Sequence, residues 1–167
     1  MLDQLTGNER VKSLLRRMLE AQRVPGAMLF TGEDGIGKKL FALEIAKALN
    51  CRTPNGVEGC GTCPACKRTD RFNYPQSDDS DDWKGIIWTD HPDVGMVVAP
   101  KRVLLVDQMR LIEREANFRP YEGKARVFLV DSRRAVRKAL FEPQDRLLQA
   151  FFCYLCTWLI LVVLILI

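Results

Sequence analysis

Apolar residues Val11, Leu14, Leu15, Met18 and Leu19 recur at i, i+3, i+4, i+7 and i+8, which predicts an amphipathic helix over 8–21. Arg10, Lys12, Arg16 and Arg17 fall mostly off that stripe and read as a solvated face. Thr6 and Glu9 have capping-box spacing at its start. A turn at Arg23–Gly26 leads into a short apolar run, Ala27–Thr31, which reads as a buried strand. A helix over Leu40–Asn50 follows, apolar on most sides, with Glu44 and Lys47 as its charges. Val94–Val98 predicts a second strand, and Val103–Val106 either a strand or the lead into a helix. From Asp107 to about Asn117 the period is helical, with Met109, Ile112 and Ala116 on one face. Arg119–Gly123 breaks it, and Val127–Asp131 is a last buried strand ending in a carboxylate. Strands alternating with helices predict an α/β fold with a mostly parallel sheet.

Composition changes this picture at two places. The chain has 167 residues, 47% hydrophobic and 28% charged, with a net charge of +4. That is the profile of one folded domain, too weakly basic to argue nucleic-acid binding by charge alone. Six cysteines fall short of a disulfide scaffold, and the opening MLDQLTGNER has no apolar core of a secretory signal. A cytoplasmic location is expected. The first exception is residues 72–91, polar and irregular, where Asp78, Asp79, Asp81 and Asp82 read as an exposed acidic loop without fixed ligand spacing. The second is the end of the chain. Every Asp, Glu, Lys and Arg lies in 1–146, whereas 147–167 carries none.

Gly32-Glu33-Asp34-Gly35-Ile36-Gly37-Lys38 matches G-x-x-x-x-G-K and lies where such a loop works, after a strand and opening a helix. Gly32, Gly35 and Gly37 let successive N–H groups turn toward phosphate oxygens, and the helix start adds partial positive charge. Lys38 would reach the outer phosphates. The next position normally supplies a Ser or Thr hydroxyl to Mg²⁺, and this chain has Lys39, whose charge repels the ion. Asp131 stands where a Walker-B aspartate would, yet it is followed by Ser132, Arg133 and Arg134 rather than an acid to orient water. ATP binding without a strong Mg²⁺ site is therefore expected, and ATP hydrolysis by this chain is not.

Cys51, Cys60, Cys63 and Cys66 are spaced C-x8-C-x2-C-x2-C. Four thiolates without a nearby His suit a closed tetrahedral Zn²⁺ site of structural type. The metal would fix a small excursion, about 51–66, that lacks a core of its own.

A phosphate-loop helix running straight into a four-cysteine module resembles the bacterial replicative clamp loaders of DNA polymerase III, in the delta-prime branch. The segments that carry the resemblance are RVPGAMLFTGEDGIGKK, GVEGCGTCPACKR, HPDV at His91–Val94 and VDQMRLIEREANFRPYEGKARVFLVD at 106–131. It covers about residues 4–131, with 72–90 longer than is usual. Lys39 is like delta-prime, where the loop is often degenerate. The resemblance implies a P-loop AAA+-like sheet with flanking helices and an inserted zinc module. It implies Zn and ATP as ligands, sister clamp-loader subunits and the sliding clamp as partners, and primed DNA reached through the complex. In such an assembly the subunit serves mainly as a rigid partner of the ATP-driven ones. The family's Ser-Arg-Cys segment, helical lid and collar have no counterpart after Asp131, so the chain reads as a truncated AAA+ domain over 1–131.

Residues 132–146 read as a basic linker that does not align. For 147–167 three readings stand: a transmembrane helix flanked by Arg133, Arg134, Arg137 and Lys138, a buried core strand or helix, or the product of a shifted reading frame. An apolar C-terminal helix is the expected form. Cys153 and Cys156 read as buried thiols. Two other functions fit parts of the pattern: a stand-alone P-loop NTPase using Lys38 and Asp131, and a membrane-anchored zinc-binding protein.

Overall fold

A computed structural model describes residues 2–75, 85–99, 104–131 and, for the backbone, 161–166. In chain order the elements are α1 (Glu9–Glu20), β1 (Ala27–Phe30), α2 (Lys38–Asn50), α3 (Pro64–Thr69), β2 (Ile87–Trp88), β3 (Val94–Val98), α4 (Val106–Ala116), β4 (Arg126–Asp131) and β5 (Leu161–Leu166). They build one five-stranded sheet in the order β1-β5-β4-β3-β2. β1, β5, β4 and β3 run parallel, and the two-residue β2 pairs antiparallel with β3.

β4 shows how the layers form. Its residues Val127, Phe128, Leu129 and Val130 are all buried. Val127 and Leu129 join Val94 and Met96 in a core with Phe41, Ala42, Ile45 and Ala46 of α2 and Leu15 of α1. Phe128 and Val130 point the other way, onto Val97 and onto Ile112 and Ala116 of α4. Both faces of a parallel strand are thus covered by helices, which is why the strand is apolar at successive positions rather than at alternate ones. Burying one such side chain contributes roughly 1.5–3 kcal/mol.

α2 is buried on nearly every side, as an all-round apolar helix must be. The two charges of its middle and last turns, Glu44 and Lys47, are accommodated together. Lys47 lies 2.9 Å from Glu44 and 2.8 Å from Asp70, just beyond α3.

Several expectations are corrected. Thr6 and Glu9 form no capping box: Asn8, in the left-handed region at φ 56°, takes the N-cap with no side-chain hydrogen bond. On α1, Leu15 is buried but Leu14 is exposed, while the stem of Lys12 lies buried with its ammonium 2.6 Å from Glu9. Of the two readings of 103–106, the lead into a helix is the one that holds, since α4 starts at Val106. The 72–91 stretch is not uniformly loop: Phe72 bridges to Thr89, β2 forms, and His91 is buried. Its acidic positions Asp78, Asp79, Asp81 and Asp82 lie outside the described residues.

The largest correction concerns the apolar end. The expected C-terminal helix is, over 161–166, a strand seated between β1 and β4. A run with no polar position and several β-branched residues suits a parallel strand flanked on both sides. Periodicity cannot separate this from an apolar helix. Residues 147–160, with Cys153 and Cys156, lie outside the described residues, as does the linker 132–146. Among the described residues no helix is long and apolar enough to cross a membrane.

Candidate functional site

The register brings the two halves of the phosphate-loop pattern to one end of the sheet. Phe30 at the end of β1 and Asp131 at the end of β4 both pair with Leu166 of β5. One strand separates them, so their backbones stand roughly 10 Å apart. In open parallel sheets the carboxyl ends of the strands are where ligands are held. Gly32, Gly35 and Gly37 take φ of +152°, +82° and +94°, and Gly37 is the N-cap of α2. Left-handed backbone at 35 and 37 is what turns the chain sharply from β1 into α2, and an L-residue would be strained there.

Lys38 Nζ donates to the carbonyls of Gly32 and Glu33, each at 2.8 Å, so the loop closes on its own lysine. Lys39 goes elsewhere. Its Nζ lies 4.4 Å from the centre of the Phe72 ring and 3.5 Å from Tyr74 Oη. Neither lysine has a carboxylate partner among the described residues. Asp131 is half-buried, and its carbonyl accepts the N–H of Ala99 at 3.1 Å.

The sulfurs of Cys51, Cys60, Cys63 and Cys66 all lie within 4.8 Å of one another. Cys51 and Cys63 are 3.9 Å apart, far beyond a disulfide bond. Sulfurs bound tetrahedrally at ~2.3 Å from a zinc ion stand ~3.8 Å apart. The cluster is therefore suitably placed to hold a metal ion. Backbone N–H groups already point at the sulfurs: Cys60 N to Cys51 Sγ at 3.3 Å, Cys63 N to Cys60 Sγ at 3.3 Å, and Cys66 N to Cys63 Sγ at 3.5 Å. The hydroxyls of Thr53 and Thr62, then N–H groups, hold the Cys60 thiol down at about 5. Burial pushes Cys63 up, but N–H groups of Cys66 and Arg52 outweigh it and leave it below the usual thiol range. Burial pushes Cys66 well up. A divalent cation among these groups would favour the thiolate form of all four.

The module is tied to the sheet. Glu122 pairs with Arg68 of α3 and lies 3.8 Å from Arg52. Gly59 packs on α2, where a Cβ would come within 2.9 Å of Lys47 Cβ. The loop carrying Glu122 is itself held by buried groups that the sequence reading did not single out. Asp93, fully buried, accepts the N–H groups of Tyr121 (2.6 Å), Glu122 (2.9 Å) and Gly123 (2.7 Å). Asn50, the last residue of α2, accepts those of Lys124 and Ala125 at 2.9 and 3.0 Å. The only sequence signal for Asp93 was its place in the HPDV segment.

The structure is thus a mixed α/β domain whose mostly parallel sheet carries a glycine-rich, lysine-ended loop at its carboxyl end, with a four-cysteine cluster suited to a metal ion just beyond the helix that follows. The family described as "DNA polymerase III, delta subunit" matches residues 7–139, which reaches past Asp131, and the chain belongs to that clamp-loader family. DNA polymerase III subunit tau of Escherichia coli is 27% identical over 149 residues, covering 84% of this chain and 20% of that protein. Subunit gamma/tau of Mycobacterium tuberculosis H37Rv is 30% identical over 156 residues, 89% of this chain and 24% of that protein. Subunit gamma/tau of Mycoplasma genitalium is 36% identical over 64 residues, 38% and 11%. The chain spans about a tenth to a quarter of the length of these relatives.

Proposed function

We propose that this chain acts as a delta-prime-type subunit of the DNA polymerase III clamp loader, with a degenerate nucleotide site and a structural Zn²⁺. The observation that carries the reading is Lys39. An ATP-hydrolysing sister would need a Ser or Thr hydroxyl for Mg²⁺ at that position, and a lysine supplies none. Gly32, Gly35, Gly37, Lys38, Lys39 and Asp131 form the residual nucleotide site, and Cys51, Cys60, Cys63 and Cys66 hold the zinc. The chain's contribution is then a surface offered to its sister subunits, the sliding clamp and, through the complex, primed DNA.

Residues 1–131 form the working α/β body in this reading, with β5 completing its sheet. The metal serves structure: it would be held by four side chains and has no open position for a substrate.

The test is assembly. The full chain, mixed with purified tau or gamma subunits, should elute with them as one species on size-exclusion chromatography with light scattering. Separate elution at micromolar concentrations would overturn the clamp-loader role. For the metal, the purified protein should carry one zinc per chain by atomic emission, and Cys63→Ser should lose most of it. Unchanged stoichiometry in that variant would remove the zinc assignment.

A further inference from the structure

We propose that the phosphate loop binds nucleoside triphosphate without a divalent cation, with the Lys39 ammonium standing in for the metal. This deepens the degenerate-site reading above and rests on it. In a metal-dependent loop the residue after the lysine binds Mg²⁺ through a hydroxyl, and the ion neutralises the outer phosphates. Here the same position carries a full positive charge of its own. Two ammoniums, Lys38 and Lys39, are therefore adjacent at the start of α2, where the helix already favours anions.

What the two lysines contact decides whether that charge is available. Lys38 bonds only to neutral carbonyls, of Gly32 and Glu33. Lys39 rests on the face of Phe72, with Tyr74 Oη at 3.5 Å. Phe72 and Tyr74 stand as a tilted pair with ring centres 6.1 Å apart. Carbonyls and aromatic faces hold an ammonium in place without neutralising it, and a surface cation–π contact is weak compared with an ammonium–phosphate bond. Had either lysine been paired with Glu33, Asp34 or another described carboxylate, its charge would be spent; neither is. The aromatic pair thus parks Lys39 beside the loop with its charge intact. Phosphates entering the loop would draw Lys38 off its carbonyls and Lys39 off the Phe72 ring. Mg²⁺ complexed to the same phosphates would meet the Lys39 ammonium at close range, so the metal competes with the side chain instead of assisting it.

The probe is ATP, with inorganic triphosphate as a second ligand, titrated calorimetrically into the full chain in excess EDTA and again in excess MgCl2. The wild-type protein is expected to bind in EDTA and at least fivefold more weakly in MgCl2. Lys39→Thr should reverse the order, losing about tenfold in EDTA and gaining in MgCl2. Thermal melting of each variant checks that the fold is intact, since position 39 is only half-buried. Wild-type binding that requires Mg²⁺ and is lost in Lys38→Ala would overturn the inference while leaving the phosphate loop standing. Absence of binding in both buffers would overturn the inference and the nucleotide site together, and the assembly experiment would decide the subunit role separately.

Discussion

Asp93 is the residue on which most depends per atom. Its carboxylate lies fully buried and gathers three consecutive N–H groups, with Arg126 Nε 3.7 Å away. Removing it leaves those three donors without their acceptor and leaves Arg126 with Glu115 as its remaining carboxylate neighbour, a loss of about 3–5 kcal/mol. Asp93→Ala should therefore lower the stability measured by urea denaturation by about that amount; a change under 1 kcal/mol would show that water replaces the carboxylate. His91 sits beside it, with Nδ1 accepting the Asp93 N–H at 3.2 Å and Nε2 3.5 Å from Glu122. Burial pushes its pKa below the usual range, against the pull of the Glu122 and Asp93 carboxylates, while the Arg68 and Arg52 guanidiniums push the same way as burial. The folded state then keeps His91 neutral while the unfolded chain takes up a proton at about pH 6.5. The stability it contributes is fully present above that pH and is lost as pH falls through the lower folded value. His91→Gln should flatten the fall in stability between pH 6.5 and 5, read from urea midpoints at each pH; parallel wild-type and variant curves would place the titration elsewhere.

At the scale of elements, legibility followed the strength of the local signal. β1, β3, β4 and α4 were readable because each combines a clean apolar pattern with a break at its end, such as Pro25-Gly26 or Pro120-Tyr121. The cysteine cluster was readable because its spacing constrains geometry. β2 escaped because two residues carry no periodicity, and the Asp93 and Asn50 anchors escaped because each acts on backbone about thirty or seventy-five positions away. β5 was left among three readings, with a helix as the expected form, for a sharper reason. An apolar run with no polar position serves a helix or a buried strand equally well, and only the partners β1 and β4 decide. Its ladder is therefore the element to break. Val163 pairs with Ala27 on one side and Phe128 on the other. Proline there removes a ladder donor from the sheet interior and should cost about 3 kcal/mol or more. Val163→Pro is expected to shift the melting transition down by several degrees and to increase amide exchange at Ala27–Phe30. Exchange in β1 equal to that of the wild type would mean that β5 is not its neighbour in solution.

For the whole molecule, α2 is the beam shared by the glycine-rich loop and the four-cysteine cluster. Its first turn follows Gly37 and its last residue, Asn50, precedes Cys51 directly. Asn50 is also the acceptor for Lys124 and Ala125 at the entrance to β4, the strand that ends in Asp131. A Cβ at Gly123 would strike Asn50 Oδ1, so that junction admits only glycine without a shift. Glu122, one residue earlier, is held by Arg68 from α3. The cysteine cluster thus lies at one end of two paths, from Cys51 through Asn50 to Lys124 and from α3 through Arg68 to Glu122, whose other end is the central sheet. Removing a metal held there should not merely release residues 51–69. If binding free energy is folding free energy for the module, its loss frees the carboxyl end of α2 and weakens the Asn50 acceptor. Hydrogen exchange measured before and after chelation should then rise at Lys124 and Ala125 as well as at Cys60, Cys63 and Cys66, while Leu129 and Val130 deep in β4 stay protected. A rise confined to 51–69 would mean that the module hangs from the body without bracing it. A rise that reaches Leu129 would mean that module and sheet unfold as one unit.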